Sequence, residues 1–187
     1  RDYPEVIGYL ELIIRKYPDF SGILGVRLTL AYSYFYLHDL KKAVELMREI
    51  KVDLLTPEEN KEFVYLQAQV AFKERDYPVA LEKLSSLFTD PPGTVGEEKL
   101  KREIQEIVFK LLSLEQLKNL APKYTTDFPG ALLRWQLANS LRDRGEKEEA
   151  RKILTALIFS FPDSEWVPKA RDMLSELLSA AVQSTVS

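Results

Sequence analysis

The tetrapeptide RDYP fills residues 1–4 and returns at 75–78, inside AFKERDYPVALEKL, residues 71–84. An aspartate followed two residues later by proline suits the start of a helix. The carboxylate caps free N–H groups, and the proline N, which has no hydrogen, sits where no helical partner exists. The separation of 74 residues halves to 37: Asp2, Asp39 and Asp76 stand 37 apart, and Ser113, a further capping residue, follows after 37 more. Four helix starts therefore share one register, which is the signature of a repeated supersecondary unit.

Small residues keep the same time. Ala31 and Ala68 are 37 apart, as are Ala43 and Ala80, and a step of 33 leads from Gln105 to Ala138 and from Leu117 to Ala150. Within a unit, Ala31 to Ala43, Ala68 to Ala80 and Ala138 to Ala150 all span 12 residues. A further 12 from Ala80, Leu117 and Ala150 reaches Pro92, Pro129 and Pro162, and 12 from Val6 reaches Pro18. The rule fails at Leu55, where the proline comes two residues late at Pro57. The unit reads as a helical hairpin: one small residue on each helix allows a close approach, and proline stops the second helix. Hairpins of this kind bury their apolar faces against neighbours, so they stack.

Apolar residues recur at three and four residue intervals almost throughout, predicting an all-α chain. Ten helices are expected near 5–17, 22–37, 40–51, 57–74, 77–88, 97–112, 114–124, 130–144, 146–160 and 165–181. Thr56-Pro57-Glu58-Glu59 and Ser113 with Gln116 read as capping boxes, and Asp2 with Glu5 repeats the logic. The expected organisation is one solenoid domain, 1–181: a half repeat 1–20, repeats 21–56, 57–92, 93–129 and 130–163, and a terminal helix 164–181. Residues 182–187 read as a tail or linker, since SAAVQSTVS, residues 179–187, is short-chained and uncharged. Val167, Ala170, Leu174, Leu177, Leu178 and Ala181 form one stripe on the last helix, suited to capping the stack or docking on a following domain. Because Asp2 caps a second helix, a first helix is expected upstream of Arg1.

The 187 residues are 45% apolar and 29% charged with a net charge of −3, an ordinary balance that argues against a nucleic-acid or anionic-membrane partner. There is no cysteine, hence no disulfide or thiolate metal site, and no apolar run reaches membrane-spanning length. The inventory for catalysis is thin. The single histidine, His38, lies in a connection at a repeat boundary, with no second histidine or thiol to complete a triad or metal set. Gly93 and Gly96 in PPGTVG lack the Lys-Ser/Thr of a phosphate loop. Glu58-Glu59, Glu97-Glu98 and Glu148-Glu149 fall at helix starts, where negative charge suits the dipole. Lys99, Lys101 and Arg102 alternate with Glu97, Glu98 and Glu103 as on a solvated face. No enzyme activity, metal, cofactor, nucleic acid or small-molecule substrate is expected.

The run Leu30-Ala31, Tyr34, Ala43, Met47, and again Leu137-Ala138, Leu141, Ala150, Leu154, Pro162, resembles the tetratricopeptide repeat. Departures are Arg27 and Arg134 at a usually aromatic or aliphatic position, Gln105 and Leu117 in place of both small residues of the fourth unit, and steps of 37 where the family has 34. KYPDF, 16–20, and FSFPDSEWVPKARDML, 159–174, further resemble the repeats of bacterial envelope proteins: outer-membrane assembly lipoproteins, periplasmic cell-wall and division coordinators, and the N-terminal halves of penicillin-binding-protein activators. The resemblance implies a right-handed superhelix and a non-catalytic scaffold binding a protein or peptide in a concave groove. It implies a periplasmic setting, anchored to the outer membrane through an upstream segment, with the cytoplasm as the alternative. Alternative readings are a regulatory N-terminal module of a larger lipoprotein or enzyme, and a cytosolic adaptor.

In that family the first helix of each hairpin lines the concave side. With Ala31 facing the partner helix, positions −3, +1 and +5 lie about 60° to 140° around. They name Leu28, Tyr32 and Tyr36; then Tyr65, Gln69 and Lys73; then Arg102, Glu106 and Lys110; then Trp135, Asn139 and Asp143. Phe35, Phe72 and Phe109 form a neighbouring column, core or groove.

Overall fold

The computed structural model describes residues 3–88 and 95–186, the side chains at 95, 127 and 181–186 excepted. Asp2, Pro92 and Gly93 lie outside the described residues, as does the side chain of Ala181. Every regular element among the described residues is a helix, and neighbouring helices pack in pairs, as a helical repeat of tetratricopeptide type requires. The chain forms two compact units, Arg1–Pro91 and Pro92–Ser187.

The first unit holds α1 (Tyr3–Lys16), α2 (Ile23–Tyr36), α3 (Leu40–Glu49), a 3-10 turn (Val52–Leu54), α4 (Pro57–Lys73) and α5 (Tyr77–Leu87). Helix α2 packs on both α1 and α3, and α4 packs on α5. Leu28, Leu30, Leu66, Phe63 and Met47 form one buried cluster with Ile7 from α1. The second unit holds α6 (Val95–Glu106), a π-helical turn (Ile107–Leu111), α7 (Leu114–Leu120), a 3-10 turn (Ala121–Lys123), α8 (Asp127–Asp143), α9 (Lys147–Ser160) and α10 (Val167–Val186). Phe128 and Pro129 depart from helical geometry, so the regular part of α8 opens at Gly130. A side chain there would start 2.8 Å from the Tyr124 carbonyl oxygen, and only glycine allows that approach.

The expected seam is present. Ala31, Ala43, Ala68, Ala80, Ala138 and Ala150 are all fully buried, and the hairpins they join, α2 with α3, α4 with α5 and α8 with α9, are in close backbone contact. Helices α6 and α7 scarcely meet backbone to backbone. The seam positions there are Gln105 and Leu117, whose bulk holds two helices apart where alanines let them touch.

The caps follow the sequence. Thr56 and Glu59 make a reciprocal capping box, as do Ser113 and Gln116. The Asp39 carboxylate accepts from the Lys42 N–H at 3.1 Å and that of Asp76 from the Val79 N–H at 3.3 Å. The turn inside a hairpin repeats too: His38, Arg75 and Gly145 all adopt the left-handed conformation, with φ of 64°, 63° and 81°. Each turn closes with a bond from the next residue back five positions: Asp39 N–H to the Tyr34 carbonyl, Asp76 to Ala71, and Glu146 to Leu141. This is the Schellman ending of a helix. The two arginines that depart from the repeat pattern have partners. Arg134 Nη1 donates to the Tyr124 and Gly130 carbonyls and its guanidinium lies 4.9 Å from the Phe161 ring, while Arg27 meets Glu49 at 3.4 Å.

Two expectations need correction. Helix α10 continues to Val186, because nothing in SAAVQSTVS breaks a helix. Leu178 is 48% exposed and does not share the burial of Val167, Ala170 and Leu177, to which Met173 is added.

Candidate partner-binding faces

In the first unit the candidate face is built by α2 and α4, the first helices of successive hairpins. Exposure grades with angle around α2. Leu28, about 60° from the seam, is 1% exposed and belongs to the core cluster. It presents no surface to a partner and leaves the candidate set. Tyr32, about 100° around, is half-buried, and Tyr36, about 140° around, is 49% exposed. The edge of the face thus falls near the +1 position.

The aromatics stack as a ladder. Tyr3 lies 5.4 Å from Tyr36 and Tyr36 lies 6.2 Å from Tyr32, with interplanar angles of 22° and 21°. Phe35 packs edge-on to Tyr36 at 5.6 Å. The Tyr32 hydroxyl donates to the Glu62 carbonyl at 2.7 Å, which ties α2 to α4 across the face. Burial raises the Tyr32 phenol above its ordinary value, with Glu62 and Tyr36 adding to the shift. Tyr32 is therefore a neutral donor committed to the fold, and Tyr36 is the ring with free surface. On α4, Tyr65 and Gln69 are half-buried and Lys73 is exposed, the same outward gradient in a more polar register.

The second unit carries its own candidates. Arg102, Glu106 and Lys110 are exposed; Arg102 Nε donates to the Glu98 carbonyl at 3.2 Å, and Lys110 pairs with Glu106 at 3.8 Å. Glu106 and Lys110 neutralise each other as on a solvated helix face. Trp135 and Asn139 are half-buried on α8, the Asn139 amide donating to the Trp135 carbonyl at 3.0 Å, and Asp143 is exposed beside Arg142. Trp135 is stacked at 6.0 Å on Trp166, which also meets Phe109 at 5.6 Å and carries Lys169 over its ring at 4.5 Å. Trp166 is itself buried, so this cluster is mainly packing.

The phenylalanine column divides. Phe35 is core, whereas Phe72 and Phe109 are half-buried, Phe72 edge-on to Tyr77 at 5.7 Å. Tyr3 and Trp166 join the aromatic groups, although neither belongs to the concave positions named from the sequence. Both precede or open their helices, where helical angles give no guide. His38 is exposed in its left-handed turn. Among the described residues, no cluster of three or more His, Cys, Asp or Glu could hold a metal ion, and no helix is long and apolar enough to cross a membrane.

Residues 133–164, which contain most of α8, all of α9 and the turn after it, match the model of the tetratricopeptide repeat. The sequence matches no curated protein. The matched hairpin is the one in which both seam residues are alanine and the Schellman turn holds glycine.

Proposed function

We propose that this chain is a non-catalytic protein-interaction scaffold that binds an extended peptide or protein segment along the outward face of first helices, with Tyr36 on α2 as its main apolar contact. The observation that carries the reading is the Tyr3–Tyr36–Tyr32 stack, which holds a ring 49% exposed in one orientation between α1 and α2. An aromatic fixed before binding loses little entropy on contact, and such rings dominate interface energetics. Lys73 at the outer edge of α4 adds a cation that favours peptides with an acidic or C-terminal carboxylate group. The bacterial-envelope setting rests on the YPDF and FPDS turns of the sequence, and the regulatory-module reading is compatible with the same face.

Selection of peptides from a displayed random library tests it. Wild-type chain is expected to enrich peptides with a shared apolar or aromatic residue, and Tyr36→Ala to weaken the selected peptides at least about tenfold with helical content unchanged. Peptides that bind Tyr36→Ala as tightly as wild type would move recognition elsewhere.

A further inference from the structure

Helix α4 carries a charged stripe that α2 lacks. With Ala68 at the seam, Glu58, Glu62, Tyr65, Gln69 and Lys73 fall about 80°, 120°, 60°, 100° and 140° around, the sector that holds Tyr32 and Tyr36 on α2. Both acids lie in the N-terminal half of α4 and the lysine in its last turn. All three are exposed, and none forms an ion pair among the described residues. The matching sector of α2, with Gly25, Leu28, Tyr32 and Tyr36, has no charge to neutralise them. Helix α4 is packed on α2 and on α5, and the stripe stays exposed with both in place.

Glu62 and Lys73 are separated by about 16 Å along the axis of α4, twice the screening length of about 8 Å at physiological ionic strength. They act as two separate poles, whereas Glu106 and Lys110 in the second unit pair at 3.8 Å. Acid near the start and base near the end of a helix suit its dipole, but that effect fades beyond the first turn, where Glu62 stands. The acidic pole is fixed beside α2: the Tyr32 hydroxyl donates to the Glu62 carbonyl at 2.7 Å, and the Glu62 charge helps to raise the Tyr32 phenol. Neighbouring charges do not cancel the poles. Lys61 falls about 20° from the seam and Glu74 about 240° around, and the Glu59 and Asp76 carboxylates are taken by helix caps.

We propose that the first unit selects a dipolar segment: a basic residue against Glu58 and Glu62, an acidic residue against Lys73, and an apolar or aromatic residue between them on Tyr36. This rests on the peptide-binding reading of the same face and adds the charge pattern of the partner. At about 3.3 Å per residue, about five residues of extended chain span the two poles. A segment of one sign gains at one pole and is repelled at the other, so only opposite charges at this spacing satisfy both. Either chain direction meets the requirement.

Fluorescence anisotropy of the 187-residue chain with labelled, end-blocked peptides of about seven residues tests the proposal. Each peptide has a central phenylalanine and glycine elsewhere, flanked by lysine and glutamate, by two lysines, by two glutamates or by two serines. The lysine–glutamate peptide is expected to bind about five- to tenfold tighter than the serine control at about 50 mM salt. The difference should fall below about twofold at about 0.5 M, as for exposed ion pairs. Lys73→Glu should make the two-lysine peptide the tightest, and Glu58→Gln with Glu62→Gln should bring the two-glutamate peptide level with the lysine–glutamate one. Circular dichroism is expected to be unchanged, since all three positions are exposed. A lysine–glutamate peptide no tighter than the other three, with binding still lost on Tyr36→Ala, would overturn the dipolar partner and leave the Tyr36 face standing. A ranking that Lys73→Glu does not change would overturn it equally. Absence of binding by every peptide at about 1 mM chain would overturn it together with the Tyr36 reading.

Discussion

Tyr34 gives the first unit a titratable link. Its hydroxyl donates to Glu11 Oε1 at 2.5 Å, joining α2 to α1, and the Lys42 ammonium lies 4.8 Å from its ring. The bond to Glu11 chiefly, with burial and the charges of Glu11 and Asp39, pushes the phenol up to about 12. The bonded form is the protonated one. An unfolded tyrosine titrates near ~10, so this contribution is complete below that pH and is lost as pH rises through the folded value. Tyr34→Phe is therefore expected to lower stability by about 2 kcal/mol at pH 8, as for a bond to a charged acceptor. The deficit relative to wild type should shrink between pH 10 and 12, and urea titrations at three pH values will show whether it does. The left-handed turns make a second test. His38 and Arg75 hold a conformation that costs a side-chain-bearing residue about 1 kcal/mol, so His38→Gly should stabilise by up to that amount and Gly145→Ala destabilise by as much. Thermal melts in which His38→Gly is the less stable protein would contradict this reading of the turn.

At the scale of the element, the hairpin depends on its two alanines. Ala68→Leu and Ala138→Leu, at fully buried positions, should each cost roughly 1 to 3 kcal/mol by overpacking. Chemical denaturation measures both. The helices and their caps were legible because caps are local: Thr56, Ser113, Asp39 and Asp76 act on N–H groups three residues away. The seam was legible because bulk at one position is enough to set a close approach. The left-handed turns were hidden, since glycine announces such a turn and histidine and arginine do not. The π-helical turn at Ile107–Leu111 has no compositional mark either. Around α2 the angular rule placed Tyr36 on the surface correctly, Tyr32 at its half-buried edge, and Leu28 wrongly. A residue about 60° from its own seam still faces the apolar surface of neighbouring helices, as the burial of Leu28 shows.

For the whole molecule, the repeat register makes equivalent positions comparable across the chain, and differences among them then report which faces have a partner. Ala43, Ala80 and Ala150 are covered by the first helices of their hairpins, and Val6, in the same register, is not. The aromatic ladder became visible only when packing was known, since sequence assigns a position in the repeat but not which rings meet. The absence of any native cysteine allows this to be measured without background. Single replacements Val6→Cys, Ala43→Cys, Ala80→Cys and Ala150→Cys, labelled with a thiol reagent in dilute solution, read the accessibility of one repeat position four times. Val6→Cys should react at close to the rate of a free thiol, while the other three should be slowed at least about a thousandfold, their labelling waiting on unfolding. Four equal rates, or a Val6→Cys as protected as the rest, would contradict the uncovered position of Val6.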